Sequence, residues 1–380
     1  MDRNKKKLEN VNHHFNYFLK DFDSDSGDSS EDKSAFIKIR IPKPLKPEPY
    51  IIFIIFVHLK KYSFAGKSEK VNWVICLKFK GVAITFSHQK FGLNVYACNK
   101  SKNASSIVKE SLKQIIKATP FAEALVKPLL DLRLEQGRFS IPNNYTELRQ
   151  RYRFFRDKAE HSFEQVEELR IGKNIYMGRN HNLVIEATNY SVAMLDAYFS
   201  LLEHILVLLR PFTFDGTSTT SISKFIKSDW NTQFKEIFNV ESNLKSESHL
   251  NKLSKVKEHY RNVFAHGNLQ KENRSFYIHM DHIGALPFTL TKSDNSFIFN
   301  FNKLHPIYYH KICKDLDSFD SFIKRGRTKY GMMYIEAALF VAYDRDSLNA
   351  YQAAMKSESK FKKYVLRSML EEDIKRNMDW

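Results

Sequence analysis

Hydrophobic positions change their period along the chain, and the changes predict its organisation. Residues 50–59 (YIIFIIFVHL) form an unbroken apolar run rich in Ile and Phe, which the composition predicts to be a buried strand. VNWVICLKFKGVAITF, with Gly81 as the turn, and FGLNVYAC continue the β-branched and aromatic enrichment, so a small antiparallel sheet is expected before residue 100. Residues 104–136 and 144–170 switch to helical spacing. The first is expected to break near Pro120 and Pro128, and the second to be capped by Asn144 or Thr146. From Asn182 a long helix is expected to run to Arg210 and stop at Pro211. Its C-terminal part, YFSLLEHILVLL, is apolar around most of its circumference, which suits the centre of a bundle. A Ser/Thr-rich loop, the WNTQFKEIFNV helix and a helix from about Ser248 to His266 follow. Residues 274–301 read as a β excursion, and 305–323, 332–349 and 350–375 as helices. The fold class expected is an α+β N-terminal domain over 35–178, then a mainly α-helical bundle over 179–325 with a β-hairpin insertion. C-terminal helices over 326–380 would pack on the bundle.

Composition sharpens this picture. The 380 residues are 43% hydrophobic and carry a formal net charge of +17, enough apolar material for real cores and a basic balance that points to a polyanionic partner. Residues 35–180 hold 27 basic and 12 acidic side chains, whereas 181–300 hold 12 of each. Residues 1–34 are net acidic, and DFDSDSGDSSEDKS within them predicts a disordered tail. Four prolines in PKPLKPEP predict a stiff extended lead-in to the 50–59 run. Cys76, Cys98 and Cys313 are widely spaced with no metal-ligand pattern, so a reducing, cytoplasmic setting and no metal or other cofactor are expected. MDRNKKKLENVNHHF has a basic start without an apolar run behind it, so no secretion is expected. The 50–59 run is about half the length of a spanning helix, so no membrane association is expected.

Two features concern chemistry. Asn189, Asp196, Glu203 and Arg210 recur every seven residues on the long helix and share one stripe, which reads first as a solvated face. Within KLSKVKEHYRNVFAHGN, Arg261 and His266 stand five positions apart, Asn262 follows the arginine, and Gly267 reads as a helix C-cap. Chance alone supplies about two Arg/His pairs of this kind. Two others occur. Arg274 and His279 fall in a strand, where an odd separation sends them to opposite faces. Arg156 and His161 fall on a charged helix expected to face water. Five residues of helix give about 7.5 Å of rise and about 140° of rotation, so Arg261 and His266 would flank one edge of the helix. An imidazole at the negative end of a helix dipole beside a permanent cation suits phosphodiester cleavage, supplying an acid/base group and an anion stabiliser. A C-capping histidine without chemistry is the alternative reading of His266.

The R-N-x-x-x-H-G segment over 261–267, preceded by the YFSLLEHILVLL helix and the WNTQFKEIF stretch, resembles the HEPN superfamily over about residues 182–325. The resemblance implies a helical bundle that dimerises to form a composite site, and a metal-independent endoribonuclease of the toxin or antiphage-defence type. By motif, Arg261 would hold the scissile phosphate, His266 would act on the 2′-hydroxyl or the leaving group, and Asn262 would contact the phosphate. Glu203 matches, more loosely, the acidic residue that family members direct at the arginine. The β excursion departs from the family pattern. RNA is the implied partner, with Lys257 and the Arg149, Arg151, Arg153 and Arg156 series as substrate-binding cations and a phage trigger or antitoxin as a further partner. A non-catalytic RNA- or nucleotide-binding module, or a trigger-sensing interaction protein, are the readings from other classes.

Overall fold

The computed structural model describes residues 2–24, 36–66, 68, 70–98, 103–171, 177–213, 221–262, 269–270, 273–281, 284–290, 297–298, 304 and 306–377. The chain divides into two compact units, one of Met1–Leu134 with Glu371–Trp380 and one of Glu135–Leu370.

In the first unit, β1 (Phe22–Ser24), β2 (Phe36–Ile39), β3 (Val71–Phe79), β4 (Val82–Gln89) and β5 (Gly92–Cys98) form an antiparallel sheet in the order β1-β3-β4-β5-β2. Lys80 and Gly81 both have positive φ at the β3–β4 turn, the backbone that best follows strand twist. Helices α1 (Asp2–Phe18), α2 (Pro49–Phe53) and α3 (Ala104–Glu135) share a core with the sheet. Phe15, Ile52, Ile55, Phe56 and the α3 series Val108, Leu112 and Ile115 are buried with Leu77, Phe86 and Val95.

Three expectations are corrected here. The 50–59 run is not a strand: Pro49 opens α2, whose fixed φ suits a first helical turn, and a π-helical turn, Ile54–Leu59, continues it. Burial of Ile52, Ile55 and Phe56 overrides their β propensity. Residues 1–34 are not wholly a disordered tail, because α1 and β1 bury Phe15, Leu19 and Phe22; the acidic stretch 25–35 lies outside the described residues. Nor does α3 break at Pro120 and Pro128. Both are exposed on the helix surface, where the carbonyls they leave unbonded meet water.

The second unit is mainly helical. It contains α4 (Tyr145–Ile171), α5 (Met177–Thr213), α6 (Ile222–Lys227), α7 (Trp230–Phe238), α8 (Leu244–Val256), α9 (Pro306–Ile323), α10 (Lys329–Glu336) and α11 (Arg345–Ala354), and α12 (Glu358–Asn377) begins in it. Helix α5 is its axis, burying Met194, Tyr198, Leu202, Leu206, Leu209 and Phe212 against residues from the surrounding helices. It runs through Pro211 to Thr213 rather than ending at Arg210. The expected domain boundary near 178 is therefore displaced: Tyr145, Tyr152, Ala159 and Phe163 of α4 belong to the α5 core, with Tyr152 edge-on to Tyr198 at 5.0 Å, and the chain divides at Leu134/Glu135. Strands β6 (Ser140–Ile141) and β11 (Val341–Ala342) pair with each other. Between α8 and α9, β7 (Leu269–Gln270), β8 (Asn273–Met280), β9 (Gly284–Leu290) and β10 (Phe297–Ile298) form an antiparallel sheet in the order β10-β9-β8-β7. The stretch 332–349 is not one helix, since β11 separates α10 from α11.

Helix α5 is long and apolar enough to cross a membrane by length and composition, and most of its apolar window is buried within the unit.

Candidate functional site

Helix α8 does not continue as a regular helix to His266. At Lys257 it passes into a π-helical turn, Lys257–Asn262, which contains the arginine and asparagine of the motif. Single π turns inside helices recur at functional sites because they rotate the residues that follow them. Asn262 closes the turn, while His266 and Gly267 lie outside the described residues.

Two residues of the α5 heptad stripe, Asp196 and Glu203, face this turn. Arg261 Nε donates to Asp196 Oδ1 at 2.8 Å, the side chains 33% and 46% exposed. Lys257 Nζ donates to Glu203 Oε1 at 3.3 Å, with 17% and 52% exposed. Arg210 Nε donates to Glu236 Oε1 of α7 at 3.0 Å, with 5% and 19% exposed. Asp196 and Glu203 thus meet Arg261 and Lys257 in reverse chain order, as antiparallel packing requires, while Arg210 pairs with a separate helix. Of the stripe read as a solvated face, Asn189 is exposed; the other three residues form a ladder of ion pairs that becomes more buried towards Arg210.

The acidic group opposite Arg261 is accordingly Asp196, one heptad before the expected Glu203. Lys257 is also placed differently from a substrate-facing cation. Its ammonium lies 5.1 Å from the ring centroids of both Phe199 and Trp230. Burial pulls its pKa below the ordinary lysine value, against the opposing pull of Glu203. Trp230 is set by the start of α7, where Asp229 Oδ1 accepts from the backbone amides of Asn231 and Thr232 at 2.9 and 3.0 Å. Those bonds, that from Thr232 first, hold the Asp229 carboxyl below its usual range.

The four arginines of α4 separate into two pairs. Arg149 reaches Asp320 of α9 at 3.4 Å. Arg156 grips both oxygens of Asp317, its Nη2 at 2.7 Å from Oδ2, and donates to the Tyr152 hydroxyl at 2.9 Å. The hydrogen bond to Asp317 raises the Arg156 pKa. These two residues lace α4 to α9. Arg151 and Arg153 are exposed. The alternative pair Arg156/His161 is likewise divided, His161 being exposed beside Glu164 and Gln165. Arg274 and His279 lie in β8, as expected.

Sequence reasoning missed Asp196 as the arginine's partner, and Glu236, Phe199 and Trp230 as the surroundings of the ladder. The heptad Asp196/Glu203/Arg210, mirrored by Arg261/Lys257/Glu236 in reverse order, carried the signal. Among the described residues no group of three or more His, Cys, Asp and Glu side chains is placed to hold a metal. No protein-family model, curated protein or solved structure matches this chain.

Proposed function

We propose that the helical unit is a HEPN-like bundle acting as a metal-independent endoribonuclease, with Arg261, Asn262 and His266 as its chemical groups. The observation that carries this reading is the Arg261–Asp196 pair. It fixes the motif arginine at the end of α8 against the central helix, while leaving its side chain a third exposed.

In the proposed reaction the 2′-hydroxyl oxygen attacks phosphorus as His266 or its counterpart from a second copy takes the hydroxyl proton. The P–O5′ bond breaks, the 5′-oxygen accepts a proton, and the ends are a 2′,3′-cyclic phosphate and a 5′-hydroxyl. Arg261 would stabilise the charge that grows on the phosphoryl oxygens, a role for which an orientation set in advance by Asp196 is an advantage. Asn262 would contact the phosphate. Asp196 is a positioning residue in this scheme, Glu203 and Lys257 support the same turn, and a homodimer would pair two motifs. Antiphage defence or toxicity is the setting this chemistry suits, with a phage trigger or an antitoxin as the controlling partner.

The test is RNA cleavage by the full chain in EDTA, with end-group analysis. Cyclic phosphate ends that disappear in Arg261→Ala support the proposal. Binding of RNA without cleavage would favour the non-catalytic module, and a strict requirement for a divalent ion would exclude the mechanism.

A further inference from the structure

The β4–β5 hairpin of the first unit closes through Lys90 and Phe91, with Gln89 paired to Gly92. Gly92, at φ +105, supplies the backbone that such a turn needs. Nothing in the turn calls for an aromatic residue, yet Phe91 stands 92% exposed at its tip. The segment that leaves β2 runs alongside. Ile39 pairs with Val95, and further along the Lys46 ammonium lies 3.4 Å from the position a β-carbon would take on Gly92. One helical turn later Tyr50, 65% exposed, meets His88 edge to face at 5.6 Å between ring centroids. Two exposed rings thus flank one hairpin end. A lone exposed aromatic is ordinary on a protein surface; rings gathered at one place mark an interaction site.

Charge gathers at the same end. Residues 40–50 and 88–94 carry Arg40, Lys43, Lys46 and Lys90 against a single carboxylate, Glu48, and Lys70 joins them because its carbonyl accepts from the Lys90 amide at 3.1 Å. Arg40, Lys43 and Lys46 are exposed and make no ion pair among the described residues. Pro42, Pro44, Pro47 and Pro49 interleave with these cations and stiffen the backbone that carries them, so a ligand would lose little by ordering it. Cations beside open rings are what a single strand needs: its phosphates are neutralised while its unpaired bases stack. A lipid surface would also accept an aromatic tip among lysines. Here, however, Gln89 and Asn94 stand next to the turn, the Asn94 amide donating to Gln89 Oε1 at 2.6 Å, and sinking them into hydrocarbon would strip their water without replacing it.

We propose that this end of the first unit holds single-stranded nucleic acid, with bases stacked on Phe91 and Tyr50 and backbone phosphates on Arg40, Lys43 and Lys46. The surface shares no residue with the Arg261 turn. It would give a ribonuclease a place to hold its strand, but it does not require that reading.

Fluorescence anisotropy with the full chain and a short labelled 2′-O-methyl oligouridine tests it, because that probe lacks the hydroxyl that cleavage would use and reports binding alone. The single strand should bind more tightly than the same strand annealed to its complement, whose bases are already stacked. Phe91→Ala and Tyr50→Ala, both at exposed positions, should each weaken binding about tenfold, within the range of one base–aromatic stack, and Phe91→Trp should retain it. Lys43→Gln/Lys46→Gln should lessen the slope of log affinity against log salt by about 1.4, the share of two phosphates on a single strand. Binding indifferent to Phe91→Ala, equal affinity for the duplex, or no binding would overturn the proposal. So would Phe91-dependent sedimentation with phosphatidylglycerol vesicles by a protein that leaves the oligonucleotide unbound, which would make a membrane the partner. If the oligonucleotide binds through these residues while the full chain cuts no RNA in EDTA, only the ribonuclease reading fails; cleavage without binding here removes only the present proposal.

Discussion

Replacing Glu236 by Gln isolates the most buried rung of the α5 ladder. The amide keeps the shape and the acceptor for Arg210 Nε but removes the charge opposite a guanidinium that is only 5% exposed and lies 4.6 Å from the face of Phe225. Removing one partner of a buried pair costs about 3 kcal/mol, mostly because the other charge stays buried without compensation. Asp196→Asn breaks the outer rung, where both side chains are a third or more exposed, and water takes over much of the interaction. About 0.5 kcal/mol is expected there. Glu203→Gln should fall between, at about 1 kcal/mol. Urea denaturation of the full chain, followed by far-UV circular dichroism, measures all three. The double variant Arg210→Met/Glu236→Met should recover most of the loss, because a well-packed apolar pair can replace a buried ion pair at little cost. Equal losses for Glu236→Gln and Asp196→Asn would refute the argument that burial grades the ladder.

Gly331→Ala should destabilise the second unit by about 1 kcal/mol net. The added methyl would lie 2.6 Å from Leu209 Cδ2 and 3.1 Å from Phe212 Cβ, and the overpacking outweighs the gain in helix propensity; unchanged or raised stability in thermal denaturation would contradict the close packing of α10 on α5. Burial lowers the pKa of His204, whose Nε2 accepts from the Asn144 amide at 3.0 Å, and of His249, where Lys252 adds to the effect of burial. A histidine held neutral in the fold contributes stability that is complete above its unfolded pKa of about 6.5 and lost as pH falls below it. Stability should therefore decline on acidification through that window, and His204→Gln should flatten the decline; an unchanged slope would remove His204 as a cause. If RNA is held by α4, Arg151→Ala/Arg153→Ala should weaken RNA binding and its salt dependence, while Arg149→Ala and Arg156→Ala should lower stability first. The reverse pattern in filter binding and denaturation would restore the inner arginines as RNA contacts.

The sheet, the long apolar helix and the β excursion were legible because their hydrophobic periods are strong and local. The 50–59 run misled because period and composition cannot separate a short buried helix from a strand, and only Pro49 at its start hinted at the outcome. The domain boundary was misplaced because α4 is charged along its surface and keeps its core contacts on a narrow Tyr145/Tyr152/Ala159/Phe163 stripe. With the boundary moved, the charge no longer sits mainly ahead of the bundle: Met1–Leu134 holds 24 basic and 13 acidic residues, and Glu135–Leu370 holds 34 and 26. At the candidate site the motif could be read, but its partners could not. Whether Arg261 meets Asp196 or Glu203 depends on the phase of α8 against α5, which the π turn at Lys257 resets.

Whether Arg261 and His266 cut RNA is decided by incubating wild type, Arg261→Ala, His266→Ala and Asp196→Asn with RNA in EDTA and counting 2′,3′-cyclic phosphate ends. Wild type should yield such ends, Arg261→Ala and His266→Ala none, and Asp196→Asn a reduced rate with the fold intact. Full activity in Arg261→Ala or His266→Ala would contradict it.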